Sequence, residues 1–233
     1  MQQQTDQGAL GPVIIRLEDV AFAYEPARAV LTGCHLTIRQ GERVGLIGPT
    51  GGGKTTLLHL IVGLLRPTSG RIEIFGKPRT KEADFLEVRR RVGLLFQDAD
   101  DQLLFPTVAE DVAFGPLNLG KPKQEVLRVV RETLAELGLA GYENRITYRL
   151  SGGEKRLAAL AGLLAMQPEV LLLDEPFAGL DEQTAHRVIH ILDQLPQTLL
   201  LVSHHRDWLR QLASRILCLQ AGQLLEDPPS PIG

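Results

Sequence analysis

Residues 48–55 read Gly48, Pro49, Thr50, Gly51, Gly52, Gly53, Lys54, Thr55. This is the pattern G-x-x-x-x-G-K-[ST], which constrains the fold tightly because it works only between a buried strand and the start of a helix. Both flanks fit. Residues 44–48 (VGLIG) form a short apolar run of the kind found in a parallel strand covered on both faces. Residues 54–65 (KTTLLHLIVGLL) have the length and apolar density of a helix, with Pro67 and Gly70 ending that unit. The glycines let the backbone curl so that several N–H groups converge on one anion, and the helix N-terminus adds its positive dipole end. In such a loop Lys54 reaches the β- and γ-phosphates of a nucleotide, and the Thr55 hydroxyl coordinates Mg²⁺.

Two further motifs gain meaning from that loop. Residues 171–175 are an apolar run ending in Asp174 and Glu175. Carboxylates at the C-terminal end of a core strand face the ligand crevice of an open α/β sheet. Asp174 can then hold Mg²⁺, directly or through water, while Glu175 polarises an attacking water. Ser151, Gly152 and Gly153 precede a helical pattern, with Glu154 three residues after the serine. S-x-x-E is a capping box. The hydroxyl, the free N–H groups and the dipole end also make an anion site. Both readings stay open, although two consecutive glycines weaken a helix start beyond what a plain cap needs.

Around these motifs, strands alternate with helices. Strands are expected at 13–24 (with a break), 34–38, 71–76, 92–96, 170–174, 198–203, 215–219 and 223–226. Helices are expected at 84–91, 182–194 and 206–213, and a block at 97–164 is dominated by helical patterns at 107–114, 123–137 and 152–166, with turns at 115–122 and 138–150. The alternation implies a parallel α/β sheet with a helical insertion.

The chain of 233 residues carries 25 Lys+Arg against 28 Asp+Glu, a net charge of −3. That balance argues against nucleic acid as a partner, since phosphate backbones need a basic surface. Stretches free of Asp, Glu, Lys and Arg reach only about a dozen residues, such as 157–168, short of a membrane span. Cys34 and Cys218 have no metal-ligand spacing and read as reduced thiols. Residues 1–12 and 227–233 read as flexible ends, without a secretory leader at the start.

Taken together, the motifs resemble the ATPase subunits of ATP-binding-cassette (ABC) transporters over residues 13–226. They occur in that family's order: GPTGGGKTT at 48–56, Gln97 after a core strand, LSGGEKR at 150–156, VLLLDEP at 170–176, AGLD at 178–181 and LVSH at 201–204. The resemblance implies the family's α/β fold, a P-loop NTPase three-layer core with an N-terminal antiparallel β subdomain and an inserted α-helical subdomain. It implies ATP and Mg²⁺ as ligands, with Thr56 joining the phosphate loop. It also implies Tyr24 stacking on adenine (a core sheet tyrosine is the plain alternative), Gln97 sensing γ-phosphate and Mg²⁺, Asp181 on a loop crossing to a partner subunit, and His204, rather than His205, contacting γ-phosphate. Glu154 stands where most of the family has glutamine.

The run 96–105 (FQDADDQLLF), followed by PTVAEDVAFGPLNLG at 106–120, resembles more narrowly the ATPases of energy-coupling-factor (ECF) transporters, among them cobalt, nickel and vitamin importers. The implied partners are a second ATPase subunit (a homodimer favoured), an ECF-type transmembrane coupling subunit and a substrate-binding membrane subunit. The implied place is the cytoplasmic face of the membrane. Asp98, Asp100 and Asp101 suit arginines of the coupling subunit. The chain's end near residue 233 leaves little room for a C-terminal extension and weakly favours a dedicated cobalt, nickel or biotin system. The alternatives are an ATPase of another ABC transporter class or a soluble cassette ATPase. The latter is disfavoured because the chain has neither an inserted coiled coil nor a second cassette.

Overall fold

In the computed structural model, which describes residues 11–227, the strand-forming segments divide between two sheets. The first is antiparallel, with spatial order β2-β1-β4-β5. It consists of β1 (Val13–Glu25), β2 (Arg28–Arg39), β4 (Ser69–Ile74) and the short β5 (Lys77–Pro78). The break expected in β1 is a bulge: the pairing with β4 steps from Glu18↔Arg71 to Ala21↔Ser69 while Asp19 takes φ 50°. β2 starts six residues earlier than expected, because Gly33 (φ 66°) is absorbed as an irregularity between the Phe22↔Leu31 and Val20↔Cys34 pairs instead of ending the strand.

The second sheet has the order β10-β9-β3-β8-β7-β6. Its strands are β3 (Arg43–Ile47), β6 (Val92–Leu95), β7 (Val170–Asp174), β8 (Thr198–Val202), β9 (Arg215–Gln220) and β10 (Gln223–Glu226). All neighbours are parallel except the edge hairpin β9–β10. The apolar runs are explained by burial on both faces. Val44, Leu46, Leu94, Leu172, Leu200 and Val202 pack toward the antiparallel sheet, with Leu57, Leu58 and Leu60 of α1 (Lys54–Ile61). Ile47, Leu95, Leu171, Leu173, Leu199 and Leu201 face a second core. That core is closed by α3 (Val108–Asn118), α4 (Lys123–Glu136), α5 (Gly152–Ala165), α6 (Glu182–Gln194) and α7 (Arg206–Leu212). Three layers follow from the period-2 alternation.

Two helix ends differ from expectation for the same physical reason. α1 stops at Ile61, where Gly63 (φ 70°) and Leu64 donate to Leu60 O (3.2 Å) and His59 O (2.9 Å). α3 runs through Gly115 and Pro116, expected as a turn, and stops when Gly120 (φ 81°) and Lys121 donate to Leu117 O and Pro116 O. Both are Schellman closures, which need a left-handed residue just past the last turn. Gly115 serves a close approach instead, since a Cβ there would lie 2.3 Å from Met166 Cγ at the end of α5. α2 (Glu82–Arg91) lies against the antiparallel sheet, and the Asp84 carboxylate accepts from the Thr80 and Lys81 N–H groups at its start.

Cys34 is fully buried, and burial pushes its thiol up to about 11. Cys218 is partly buried, and both are free. Pro12 O accepts from Gln40 N (2.9 Å), and Asp227 N donates to Ile216 O of β9 (2.9 Å) while its carboxylate pairs with Arg206 (2.6 Å), so these edge positions are tied to the sheets. The remainder of the two ends read as flexible, 1–10 and 228–233, lies outside the described residues. Among the described residues no helix is long and apolar enough to cross a membrane.

Candidate nucleotide site

Parallel strands deliver their C-terminal ends to one edge of the sheet, and four of them meet there. β3 runs into the phosphate loop, β6 into Gln97, β7 into Asp174 and Glu175, and β8 into His204. A crevice at this edge is the expected ligand position of an open α/β sheet. The cleft has a volume of about 570 Å³, within the usual size for small-molecule sites. Its floor is Thr50, Gly51, Gly52, Gly53, Lys54, Thr55 and Thr56, and one wall holds Gln97, Asp174, Glu175 and His204. The other wall is the β1–β2 hairpin (Tyr24, Glu25, Arg28, Ala29, Val30) with Ala221 and Gly222 of the β9–β10 turn.

The loop holds its shape through left-handed positions that only glycine adopts cheaply. Gly53 caps α1 with φ 97°, and a Cβ there would sit 2.8 Å from Val30 Cγ1. Lys54 is 8% exposed, and its Nζ donates to Gly48 O and Pro49 O, both at 2.9 Å. The ammonium is therefore kept inside the loop's curl. Thr55 Oγ1 donates to Asp174 Oδ2 at 2.6 Å. Burial pushes the Asp174 carboxyl above its ordinary value, opposed by the Thr55 hydroxyl and the Lys54 charge. The hydroxyl, this carboxylate and the Gln97 amide offer oxygen donors, the chemistry Mg²⁺ requires.

Glu175 sits one residue past β7 with φ 50°, a left-handed conformation that costs a glutamate about 1–3 kcal/mol. Its side chain is 12% exposed, and Oε1 lies 3.4 Å from His204 Nε2 without a hydrogen bond to any described residue. Burial raises the carboxyl, while the neighbouring His204 works against that shift. His204 and His205 separate cleanly, because His205 stacks on Trp208 with ring centroids 4.1 Å apart while His204 faces the cleft. Tyr24 is 64% exposed, packs edge-on against Phe22, and places its hydroxyl 3.1 Å from Thr56 Oγ1, so its ring stands at the mouth instead of in the sheet core.

Other expected site residues lie elsewhere. Gly48 and Pro49 are behind the loop, lining a smaller pocket with Ser203, His204 and Cys218. Ser151, Gly152, Gly153 and Asp181 do not line the cleft. They adjoin one another instead: a Cβ on Gly153 would meet Gly179 O at 3.0 Å, and Asp181 caps α6 by accepting from Thr184 N and Oγ1. Glu154 completes the capping box, accepting from Ser151 N (2.8 Å), and its other oxygen takes the Tyr142 hydroxyl (2.7 Å) and Arg145 (3.3 Å). Of the three acids after Gln97, Asp98 caps the short turn Ala99–Asp101 and Asp100 pairs with Lys155, which leaves Asp101 exposed without such a contact.

Sequence reasoning missed Glu25, Arg28, Ala29, Val30, Ala221 and Gly222, which reach the cleft only through the hairpins that carry them. It also missed Arg156, buried at 7% exposure, whose guanidinium donates to Phe96 O (3.0 Å), Gln97 O (2.6 Å) and Asp174 O (3.4 Å). Its position inside LSGGEKR was the available signal.

A model of the family described as "ABC transporter" matches residues 31–178. The energy-coupling factor transporter ATP-binding protein EcfA of Methanothermobacter thermautotrophicus is 44% identical over 218 residues, covering 92% of this chain and 70% of that protein. Among solved structures, cbiO1 from Clostridium perfringens, part of the ABC transporter complex cbiONQ, superposes with a TM-score of 0.79 at 32% identity, covering 91% of this chain and 87% of that one. A dimeric post-hydrolysis state of the ATP-binding cassette MJ0796, bound to ADP and Pi, gives 0.84 at 28% identity, covering 92% and 98%. The chain belongs to the ABC transporter family, and within it to the ATPases of the energy-coupling-factor type, whose ATP hydrolysis is coupled to transport.

Proposed function

We propose that the chain hydrolyses ATP as one half of a head-to-tail dimer at the cytoplasmic face of the membrane. There it powers an ECF-type importer whose cargo is a transition-metal ion (cobalt or nickel) or a vitamin such as biotin. The observation that carries the reading is the convergence of Lys54, the Thr55–Asp174 pair, Glu175 and His204 on one cleft. The likeness to cbiO1, itself part of an ABC transporter complex, supports assembly with transporter partner subunits. The domain is read as residues 13–226, with the helical subdomain at 97–164.

In this mechanism the adenine end rests against Tyr24, and the phosphates lie along residues 50–56, where backbone N–H groups and Lys54 match their charge. Thr55, Asp174 and Gln97 would hold Mg²⁺, which would supply charge neutralisation at the phosphates. Glu175 takes the proton of the attacking water, for which a carboxyl raised by burial is better matched than an ordinary one. His204 donates to the transferring phosphoryl group. Ser151, Gly152 and Gly153, which lie outside their own subunit's cleft, close the partner's site with hydroxyl, N–H groups and the α5 dipole, and Asp181 sits beside them on the same surface.

Mixing subunits tests this arrangement. Ser151→Ala and Lys54→Ala each damage both sites of a homodimer, but a mixed dimer keeps one intact composite site. ATPase activity is expected to reappear on mixing two inactive preparations, at up to about half the parent level per dimer if the sites fire independently. Mixtures as inactive as their components would exclude the trans arrangement.

Coupling to the membrane subunit is proposed at the surface after Gln97, where the acids are followed along the chain by exposed Leu104, Phe114 and Leu117. Asp98→Ala also removes a turn cap, so Asp101→Ala is the cleaner variant. Losing one member of a desolvated charge pair costs about 2–5 kcal/mol of binding. Asp101→Ala is expected to weaken co-purification with the membrane subunit while ATP binding stays at the parent level. Unchanged co-purification and transport would reduce Asp101 to a solvated acid.

A further inference from the structure

Arg156 is a buried cation that meets no carboxylate directly among the described residues. It rises from the second turn of α5, five residues after Ser151, and is 7% exposed. Two of its nitrogens serve three backbone carbonyls: Nη1 those of Phe96 (3.0 Å) and Asp174 (3.4 Å), and Nη2 that of Gln97 (2.6 Å). Nε is buried without a partner among the described residues. Asp174, Asp98 and Glu175 surround it as the nearby negative charges. Burying a charge on carbonyls alone is expensive, and an apolar side chain would fill such a volume at less cost. What only a planar, multi-donor fork achieves is to hold several acceptors at fixed relative positions.

The acceptors belong to the two strand ends that present the cleft's own groups, since Gln97 follows β6 while Asp174 ends β7 and precedes Glu175. The donor belongs to the helix whose N-terminus carries Ser151, Gly152 and Gly153. Resting on the composite-site reading above, we infer that Arg156 is a positioning residue: it ties the γ-phosphate end of one cleft to the serine-glycine turn that the same subunit offers to its partner, so that the two ATP sites of the dimer report to one another. When Gln97 or the Asp174–Glu175 turn shifts on its ligands, the guanidinium carries the shift into α5 and moves the turn standing over the other nucleotide. Coupling of this kind makes hydrolysis cooperative, with a Hill coefficient bounded by the number of sites.

The test uses the full-length chain and three readouts: nucleotide affinity of each subunit, kcat, and the Hill coefficient of ATP hydrolysis. Arg156→Gln is expected to keep the nucleotide Kd within about twofold, since the side chain does not line that cleft, and to lower kcat by about 10–100-fold, the scale of a misplaced reacting group. The Hill coefficient should fall from above one to one. Arg156→Lys keeps the charge but cannot span all three carbonyls, and should restore kcat and cooperativity in part. It carries the same readouts should Arg156→Gln fail to fold. A lower melting temperature with kcat and Hill coefficient at parent values would make Arg156 a packing residue and overturn the inference. A parent protein with neither cooperativity nor ATP-driven dimers would overturn the composite-site reading itself, and that is visible before any variant is made.

Discussion

Glu175→Gln is expected to bind ATP as the parent does, to hydrolyse it about 10²–10⁴-fold more slowly, and to accumulate as a closed dimer. The amide keeps the shape and the left-handed turn at φ 50° but cannot accept the water's proton. Asp174, which pairs with Thr55 at 2.6 Å, is untouched, so ligand binding survives. The check is ATP turnover beside the monomer–dimer ratio at saturating ATP. Turnover at the parent rate would remove Glu175 from the proton-transfer role and leave the orphaned Oε1 without a chemical use.

The second large effect is on stability. Gly63→Ala is expected to cost about 2–5 kcal/mol, adding the left-handed penalty to the strain of overpacking. Gly63 sits at φ 70°, and a Cβ there would lie 2.3 Å from Cγ of Phe85, a ring that is 1% exposed. The ring cannot retreat easily, because Arg66 lies 4.6 Å over its face and Arg89 ties α2 to the helix end by donating to Val62 O and Gly63 O. The denaturant midpoint should drop with an unchanged m-value. A shift below about 1 kcal/mol would mean that α2 slides to make room, a smaller response than a close-packed core allows.

What could be read in advance divides by sequence distance. The phosphate loop, the acids after β7 and the apolar strands are local patterns whose chemistry lies within a few consecutive residues. The fate of Gly115 and Pro116 was not local: as punctuation they mark a turn, and only the approach of Met166 and the closure at Gly120 explain why α3 continues. The extension of β2 back to Arg28 depended on pairing with β1, which tolerates Gly33 as an irregularity. Tyr24 could have been a core residue until its exposure was known. Arg156 was hidden for the strongest reason. Its partners are main-chain oxygens some 60 and 18 positions away, and carbonyls leave no trace in side-chain patterns.

The β1–β2 side of the cleft is fastened to the parallel sheet whose strand ends carry the opposite wall. Thr32 N donates to Gly222 O at 3.0 Å, and a Cβ on Gly222 would meet Thr32 N at the same distance, so the β9–β10 turn is pinned against β2. Farther along, Arg215 reaches both Glu42 at 2.6 Å and Thr37 O at 2.5 Å. With hinges barred on that side, the mouth has no jaw of its own. In the dimer proposed above, a nucleotide would enter and leave without the Tyr24 wall opening, and the span between bound and free states would be travelled by whole subunits and by the helices after Gln97. On the assembly proposed above, mechanical work would thereby be exported from the place where the bond breaks, and a membrane partner seated on those helices would receive it as a displacement of its own footing.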